Sequence, residues 1–174
     1  MSAHRTRGAW YLALGLTLFI ASACQPAAPA TPDYAAIQQP VLDAFLVGWN
    51  TGNMDGMDAV LAPNMMRRSS GAGLEANTRE EQLAVMAQLR TTYPDAKVVA
   101  DETIHLPNAA VVRWTFTGTN TGPGDIPPTG KSVKISGMTL LRFADGKVSE
   151  ELVYFDGGDW MTQLGYTMVP PAAM

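Results

Sequence analysis

The hydrophobic positions of this chain follow a helical period in its first half and a period of two in its second half. Between residues 33 and 53 the apolar residues recur at steps of three and four, which predicts one buried face of a helix. These residues are Tyr34, Ile37, Val41, Phe45 and Trp49. Pro40 falls inside the pattern, so the helix either kinks there or begins there.

Two further helices and a short strand are predicted before the period changes. Residues 54–61 form a short helix that ends at the Ala-Pro-Asn of 62–64, and residues 65–69 form a candidate strand. Thr78, followed three residues later by Glu81, has the spacing of a capping box and begins another helix. One face of that helix is predicted at Leu83, Met86, Leu89 or Arg90, and Tyr93, with Pro94 closing the helix.

From Lys97 onward the alternation predicts β-strands. They span 98–106, 109–121, 131–143 and 147–156, with a Gly/Pro-rich loop at 121–130 and a tight hairpin at Asp145-Gly146. The apolar residues of the third strand change parity at Gly137, which predicts a β-bulge there. Asp159 is predicted to cap a last helix at 160–164. Helices followed by such strands indicate an α+β domain, with the N-terminal helices packed on one face of a curved, mostly antiparallel sheet.

The first 23 residues read as an export signal, not as part of the fold. Arg5 and Arg7 precede an apolar run of about a dozen residues, which is too short for a permanent membrane span, and small residues follow at 21–23. Residues 25–32 are a Pro/Ala-rich tether with too little apolar bulk to pack. The predicted organisation is therefore a signal at 1–23, a tether at 24–32 and one domain at 33–174.

Cys24 is the single cysteine of the chain and directly follows the small residues. The segment Ile20-Ala21-Ser22-Ala23-Cys24 resembles a bacterial lipobox, in which the cysteine is acylated and becomes the new N-terminus. We therefore expect lipidation at Cys24 and membrane contact through this anchor only. The resemblance favours the outer membrane, because Gln25 follows the cysteine. Plain secretion remains the alternative, since Ala-Ser-Ala also fits an ordinary signal-peptide cleavage site.

The charge of the chain argues against nucleic acid as a partner. The formal net charge is −4, and removal of Arg5 and Arg7 with the signal brings it to −6. An acidic domain without a basic run offers no phosphate-binding surface. The chain also has no phosphate-binding loop, no local Ser-His-Asp arrangement and no metal-ligand spacing, so we expect neither a metal nor a cofactor.

A set of short motifs gives a family resemblance over roughly residues 41–165. They are Tyr93-Pro94-Asp95, Arg113-Trp114, Gly118-Thr119, Thr129-Gly130, Gly137, Asp145-Gly146-Lys147, Phe155-Asp156 and Gln163-Leu164-Gly165. With them the chain resembles the SnoaL-like polyketide cyclase and ester cyclase family of the nuclear transport factor 2-like superfamily. This resemblance implies a cone, in which helices close over a strongly curved sheet around a deep apolar pocket. It also implies a homodimer formed through the sheet face, because dimers are common in the superfamily.

The resemblance assigns a general acid/base role to one residue, Asp156. Cyclases of this family close a polyketide ring by an aldol step with a late aspartate, and Asp156 matches it by position. Its phase with Leu152 and Tyr154 would turn it into the pocket, while a cap on the turn at Gly157-Gly158, accepting backbone N–H bonds, is the alternative. Asn120 departs from the family pattern, because many relatives have histidine there and asparagine cannot carry a proton near neutral pH.

Several side chains are candidates for the pocket lining. They are Trp49, Trp114, Phe116, Asn120, Met138 and Tyr154, with the apolar ones open to the alternative that they are core. His105 is expected to be exposed, and Glu150 and Glu151 are expected at a solvated strand edge. Three functions remain open: a cyclase- or isomerase-like enzyme acting on a small hydrophobic carbonyl compound, a tethered binder of a small hydrophobic ligand, and a dimeric interaction module.

Overall fold

The computed structural model describes residues 31–71, 73–167 and 169. The predicted signal peptide, Cys24 and nearly all of the tether lie outside these residues and stay predictions. None of the helices in the described ranges is both long and apolar enough to cross a membrane.

The described residues form four helices and five strands. The helices are α1 (Tyr34–Thr51), α2 (Met57–Val60), α3 (Arg79–Thr92) and α4 (Gly157–Gln163). The strands are β1 (Leu61–Ser69), β2 (Lys97–Leu106), β3 (Ala109–Thr119), β4 (Ser132–Ala144) and β5 (Lys147–Phe155). The predicted α+β class is confirmed.

The strands form one sheet in the order β1-β5-β4-β3-β2. The pairs β2–β3, β3–β4 and β4–β5 are antiparallel, while β1 joins β5 in parallel at the edge. The predicted hairpin connects β4 and β5, where Asp145 and Gly146 take φ of 51° and 74°. Two positive φ values in succession are typical of a type I′ turn, which matches the twist of the strands that it joins.

β1 begins earlier than the sequence predicts. Leu61 to Asn64 belong to the strand, so Pro63 does not end a helix here. Proline cannot donate a hydrogen bond to a neighbouring strand, but β1 is an edge strand and needs partners on one side only. Its pairing with β5 shifts between Leu61 and Met66, so the segment that contains Pro63 lies at the irregularity.

The core lies between the helices and one face of the sheet, with α1 packed on β2 and α3 packed on β1. One cluster of buried side chains joins these helices to the sheet, and its larger members are Leu42, Phe45, Trp49, Met57, Leu61, Met65, Met86, Leu141 and Val148. A second cluster gathers near the start of β4 and α4, and it includes Tyr93, Phe116, Val133, Ile135 and Leu164.

The predicted buried face of α1 is wrong at Ile37. Ile37 is 61% exposed, whereas Gln38 is only 3% exposed. The Gln38 amide donates to the carbonyl oxygen of Leu106 at 2.7 Å, and its oxygen lies 2.9 Å from His105 Nδ1. A buried amide is tolerated when its polar atoms are paired, and here the partners are at the end of β2. A prediction from hydrophobicity alone therefore buries Ile37, whereas the adjacent Gln38 is the residue that is buried.

The predicted bulge at Gly137 is also wrong. The β3–β4 register runs without interruption from Ala109–Arg142 to Thr119–Ser132, and Gly137 pairs with Trp114. The inward positions keep one parity along β4, while Met138 lies on the outer face and is 50% exposed. The change of parity in the sequence therefore reflects apolar residues on the outer face. The register shifts instead lie between Ala100 and Glu102 in β2 and after Arg142 in β4.

Candidate functional site

A cavity of about 120 Å³ lies between the helices and the inner face of the sheet. Its lining is mostly apolar and includes Leu42, Phe45, Trp49, Val85, Leu89, Val98, Val112, Trp114, Phe116, Leu141, Val153, Phe155 and Trp160. A buried apolar cavity of about 150 Å³ is enough to hold benzene. The space here is somewhat smaller, so the part of a ligand that it encloses is at most about one ring.

Aromatic side chains from four elements form much of the cavity wall. Trp114 donates its indole N–H to Thr139 Oγ1 at 2.8 Å, and Trp160 donates its own to the Tyr93 hydroxyl at 2.8 Å. Burial raises the pKa of the Tyr93 phenol, so the hydroxyl keeps its proton, and its oxygen accepts this bond. The Trp160 ring lies 5.2 Å from the ring of Phe116 and 5.2 Å from that of Phe155. Because both indole N–H groups have partners within the protein, these rings contribute apolar surface to the cavity.

The predicted lining lacked three of the aromatic residues that line the cavity: Phe45, which was predicted only on the buried face of α1, and Phe155 and Trp160. Phe155 directly precedes Asp156 and shares its parity with Glu151 and Val153, which both line the cavity. Trp160 belongs to α4, a short helix for which no buried face was predicted. The alternation along β5 could have identified Phe155, because Val153 and Phe155 share one face of the strand and Leu152 and Tyr154 share the opposite face.

A buried ion pair interrupts the apolar wall. Arg67 on β1 and Glu151 on β5 are register partners in the parallel pair, and Arg67 Nη1 lies 2.6 Å from Glu151 Oε2. Their side chains are only 7% and 5% exposed, and both residues line the cavity. Gln82 of α3 donates its amide to the same Oε2 at 3.1 Å. The prediction that Glu151 lies at a solvated strand edge is therefore wrong.

Polar residues of α1 line another part of the cavity. Gln39 donates its amide to Asp43 Oδ1 at 2.7 Å, and both residues belong to the lining. His105 is half-buried beside them, with Nδ1 facing Gln38 Oε1 and Nε2 lying 3.2 Å from Gln39 Oε1. His105 was expected to be exposed, so this placement is a correction. Its contacts tie the start of α1 to the end of β2.

Asp156 does not line the cavity. It is exposed and stands at the N-cap of α4, where its Oδ1 accepts the backbone N–H of Asp159 at 2.9 Å. The face that carries Leu152 and Tyr154 is the outer face, so phase with these residues does not turn a carboxylate inward. Asp156 therefore makes the capping contact with a backbone N–H that the sequence analysis gave as its alternative role. Asp156, and not Asp159, caps the last helix.

The six candidate lining residues separate into two groups of three. Trp49, Trp114 and Phe116 line the cavity. Met138 and Tyr154 lie instead on the outer face, paired across β4 and β5 and 50% and 62% exposed. Met138 was misplaced because β4 has no bulge at Gly137, and Tyr154 because the predicted parity of β5 was inverted. Asn120 is fully buried but outside the lining, and its Oδ1 accepts the N–H of Thr129 at 2.7 Å. Asn120 therefore holds the loop before β4.

The outer face of the sheet carries a row of apolar side chains across four strands. Ile104 pairs with Val111, Val111 with Leu140, and Leu140 with Leu152. Ile104 is exposed and the other three are half-buried. The neighbouring row contains Met138 and Tyr154. Together these residues are the apolar outer face.

Asp95 clamps the turn after α3 to the end of β3. Its carboxylate accepts the Thr119 backbone N–H at 2.6 Å and the Thr119 hydroxyl at 2.7 Å. These two donors favour the charged form and lower the pKa of Asp95. The contact explains why Tyr93-Pro94-Asp95 and Gly118-Thr119 occur together in the motif set.

The clamp makes a pH-dependent prediction for Asp95→Asn. Because the pKa of Asp95 is lowered on folding, its contribution to stability is present above the unfolded pKa and is lost as pH falls through the folded value. We expect the variant to lose less than about 1 kcal/mol at pH 7, since the site is exposed. Thermal melts at pH 7 and below about pH 4 check this: the difference from the parent protein should shrink in acid, and a constant or growing difference would contradict it.

Comparison with known proteins identifies the family. The profile of the SnoaL-like polyketide cyclase family matches residues 39–164. The chain belongs to this family. The match runs from within α1 to the end of α4, so it includes residues of every element around the cavity. A search of functionally curated proteins found no match.

Solved structures of other proteins show the same fold. A SnoaL-like protein from Jannaschia sp. CCS1 has 22% identity and a TM-score of 0.67, over 81% of this chain and 100% of that one. TsrD from Streptomyces laurentii has 24% identity and a TM-score of 0.63, over 75% and 96%. A protein of ketosteroid isomerase-like fold from Catenulispora acidiphila DSM 44928, crystallised with trimethylamine, has 14% identity and a TM-score of 0.63, over 75% and 97%. At these identities the likeness concerns the fold.

The described part of the chain offers no ready metal centre. Within 31–71, 73–167 and 169, no group of three or more histidine, cysteine, aspartate or glutamate side chains is placed to hold an ion. The ionisable groups at the cavity are the Arg67–Glu151 pair and Asp43.

Proposed function

We propose that this SnoaL-like protein takes a small hydrophobic carbonyl compound into its cavity and acts on it by cyclase-type acid/base chemistry. The observation that carries the proposal is the aromatic-lined cavity between α1, α3 and the sheet. Family membership supports a cyclase-type role. The volume of about 120 Å³ favours a ligand whose buried part has about one ring.

The reaction class follows from the chemistry of a carbonyl compound. A carboxylate removes an acidic proton from the carbon next to the carbonyl, and the resulting enolate carbon attacks a second carbonyl to close a ring. The proton then returns to the new alkoxide, so no cofactor is consumed. The family resemblance assigns this proton transfer to Asp156. Asp156 lies in sequence between the lining residues Phe155 and Trp160, and its carboxylate would have to leave the Asp159 N–H and turn toward the ligand.

Occupation of the cavity is tested with a pair of variants on adjacent residues of β3. Val112→Phe adds a ring to the cavity wall, whereas Val111→Phe places the same ring on the apolar outer face. Titration with single-ring and two-ring aromatic ketones, followed by tryptophan fluorescence, should show binding that Val112→Phe weakens at least about tenfold. Val111→Phe should leave it unchanged. Equal behaviour of the two variants would overturn the cavity as the binding site.

The role of Asp156 is tested by Asp156→Asn. Asparagine caps a helix about as well as aspartate, so the variant should stay within a few tenths of a kcal/mol of the parent stability. A general acid/base contributes about 10²–10⁴-fold in rate. Exchange of the α-hydrogens of a bound cyclic ketone for deuterium measures that rate directly. A loss of at least about 100-fold, with ligand binding retained, supports the catalytic role, while an unchanged rate leaves Asp156 as a helix cap.

A non-catalytic binder is the second candidate function, and the predicted export signal favours it. Polyketide tailoring normally takes place in the cytoplasm, where the substrate is made, whereas a tethered protein outside the cell suits capture of a ligand. An acylated Cys24 in the mass spectrum of the mature protein would support the tether, and a free thiol would remove it. Ligand binding without exchange of α-hydrogens would favour the binder over the enzyme.

The apolar outer face supports a homodimer as the remaining partner proposal. Exposed contiguous apolar surface on a soluble domain commonly marks an interaction site, and the row from Ile104 to Leu152 crosses four strands. Sedimentation should then give twice the monomer mass. A monomer at micromolar concentration would argue against this arrangement.

A further inference from the structure

We propose that Arg67 and Glu151 form a two-point subsite in the cavity wall for a neutral ligand that presents a carbonyl beside a hydrogen-bond donor. An enolised 1,3-dicarbonyl and a primary aromatic amide are examples of this class. The inference rests on the proposed function, because it uses the same cavity. It adds which atoms select the ligand and what polar groups the ligand must carry.

The burial of the pair is the first argument. Both side chains are more than nine-tenths buried in a wall that is otherwise largely apolar. Removing two charges from water costs several kcal/mol for each ion, and an apolar pair of similar volume is often no less stable. A charged pair in this wall therefore contributes little as packing. Its position on the cavity gives it another use.

The unused hydrogen-bonding capacity of the pair is the second argument. Arg67 donates Nε–H to the carbonyl oxygen of Leu74 at 2.8 Å and sets Nη1 against Glu151 Oε2. A guanidinium has five N–H donors, so these contacts leave donors over. The two protein contacts of the Glu151 carboxylate, from Arg67 and Gln82, both fall on Oε2. The carboxylate can accept more bonds than these.

The orientation and charge of the pair decide the ligand class. The Trp49 ring lies 5.1 Å from the guanidinium carbon and holds that group by a cation–π contact. The ligand carbonyl would accept from Arg67, and the donor beside it would meet Glu151. Because the two charges cancel, a neutral group fits best: a ligand carboxylate would face Glu151, and a ligand ammonium would face Arg67.

Three probes of nearly equal shape separate these contributions: benzamide, acetophenone and benzoate. Benzamide has both an acceptor and a donor, acetophenone has only the acceptor, and benzoate carries the charge. Loss of a hydrogen bond to a charged group weakens affinity by about tenfold or more, and each of the other two probes lacks one of the bonds that benzamide can make. We therefore expect benzamide to bind at least about tenfold more tightly than either of the other probes in calorimetric titrations of the parent protein.

Two variants assign that preference to the pair. Arg67→Met combined with Glu151→Leu replaces the charges with apolar side chains of similar size. Both probes then lose the bond from Arg67 and benzamide also loses its bond to Glu151, so the benzamide preference should fall to within about twofold. Arg67→Lys keeps the charge but loses the planar fork, so it should reduce the preference as well. Circular dichroism shows whether each variant is folded. If the double variant does not fold, Arg67→Lys alone provides the test.

The outcomes distinguish this inference from the proposed function. Equal binding of benzamide and acetophenone by the parent protein overturns the subsite, even when Val112→Phe weakens both and the cavity is upheld. A preference that survives in the folded variants overturns it too, because Arg67 and Glu151 would then be structural. Absence of binding by all three probes overturns both the subsite and the proposed ligand cavity.

Discussion

Glu151→Leu is expected to lower the free energy of unfolding by about 3–5 kcal/mol, because it leaves the Arg67 guanidinium buried without its counter-charge. The parent pair is 2.6 Å apart, and both side chains are almost wholly removed from solvent. With only 7% of its side chain exposed, Arg67 recovers little of the lost interaction from water. Urea denaturation with a constant slope for both proteins measures the change.

Removing the second charge should recover most of this loss. Arg67→Met added to Glu151→Leu deletes the uncompensated cation, so the double variant should come within about 1–2 kcal/mol of the parent protein. The combined effect would then be much smaller than the sum of the single changes, which is the signature of directly coupled residues. Additive losses would contradict the interpretation of the pair as mutually dependent.

A neighbouring residue supplies the matched control. Glu150 pairs with Arg142 at 2.8 Å, but the two side chains are 25% and 55% exposed. Exposed pairs contribute about 0–1 kcal/mol. Glu150→Leu should therefore cost several-fold less than Glu151→Leu, although the two residues are adjacent on β5. Equal costs would indicate that burial does not decide the effect.

Gly137→Ala is expected to destabilise the protein by about 2–3 kcal/mol, as an overpacked core does. An added Cβ would lie 2.4 Å from Trp114 Cζ2 and 2.7 Å from the carbonyl oxygen of Tyr154. The oxygen belongs to the backbone of the paired strand β5, so it cannot move without disturbing the ladder. Trp114 would have to turn, which breaks its bond to Thr139 and deforms the cavity wall.

Thermal denaturation and near-ultraviolet circular dichroism together check this prediction. Gly157→Ala is the control, since the nearest atom to its added Cβ is 4.0 Å away and the residue begins α4. That variant should be neutral or slightly stabilised. A stable Gly137→Ala protein with an unchanged tryptophan signal would show that β4 and β5 separate more easily than their contacts suggest.

The order and type of the main helices and strands could be predicted from the sequence because the patterns that specify them are local. Thr78 accepts the Glu81 N–H at 3.1 Å, as its spacing predicted, and Asp145-Gly146 forms the predicted hairpin. Such features depend on residues within one turn of each other. The family could also be predicted, because the motifs that carry the resemblance lie at turns and at contacts such as the one between Asp95 and Thr119.

The polar part of the cavity could not be predicted in this way. Glu151 looks like a solvated residue because its partner Arg67 lies on a strand far away in sequence. Nothing local indicates that β1 pairs with β5. Gln38 was missed for the same reason, since its partners are at the end of β2. Asp156 is the opposite case, because it was predicted to face the pocket and does not line it. Its position within a motif identifies the residue but not the direction of its side chain.

The parallel pairing of β1 with β5 has a consequence for the order in which the molecule assembles. The hairpins β2–β3, β3–β4 and β4–β5 close short loops, whereas residues 61–69 must meet residues 148–153 from the far end of the domain. Contacts between distant segments carry the larger loop-closure cost and tend to form late. Arg67 and Glu151 meet only at this seam. During synthesis, therefore, a nascent chain cannot complete its cavity until β5 has left the ribosome.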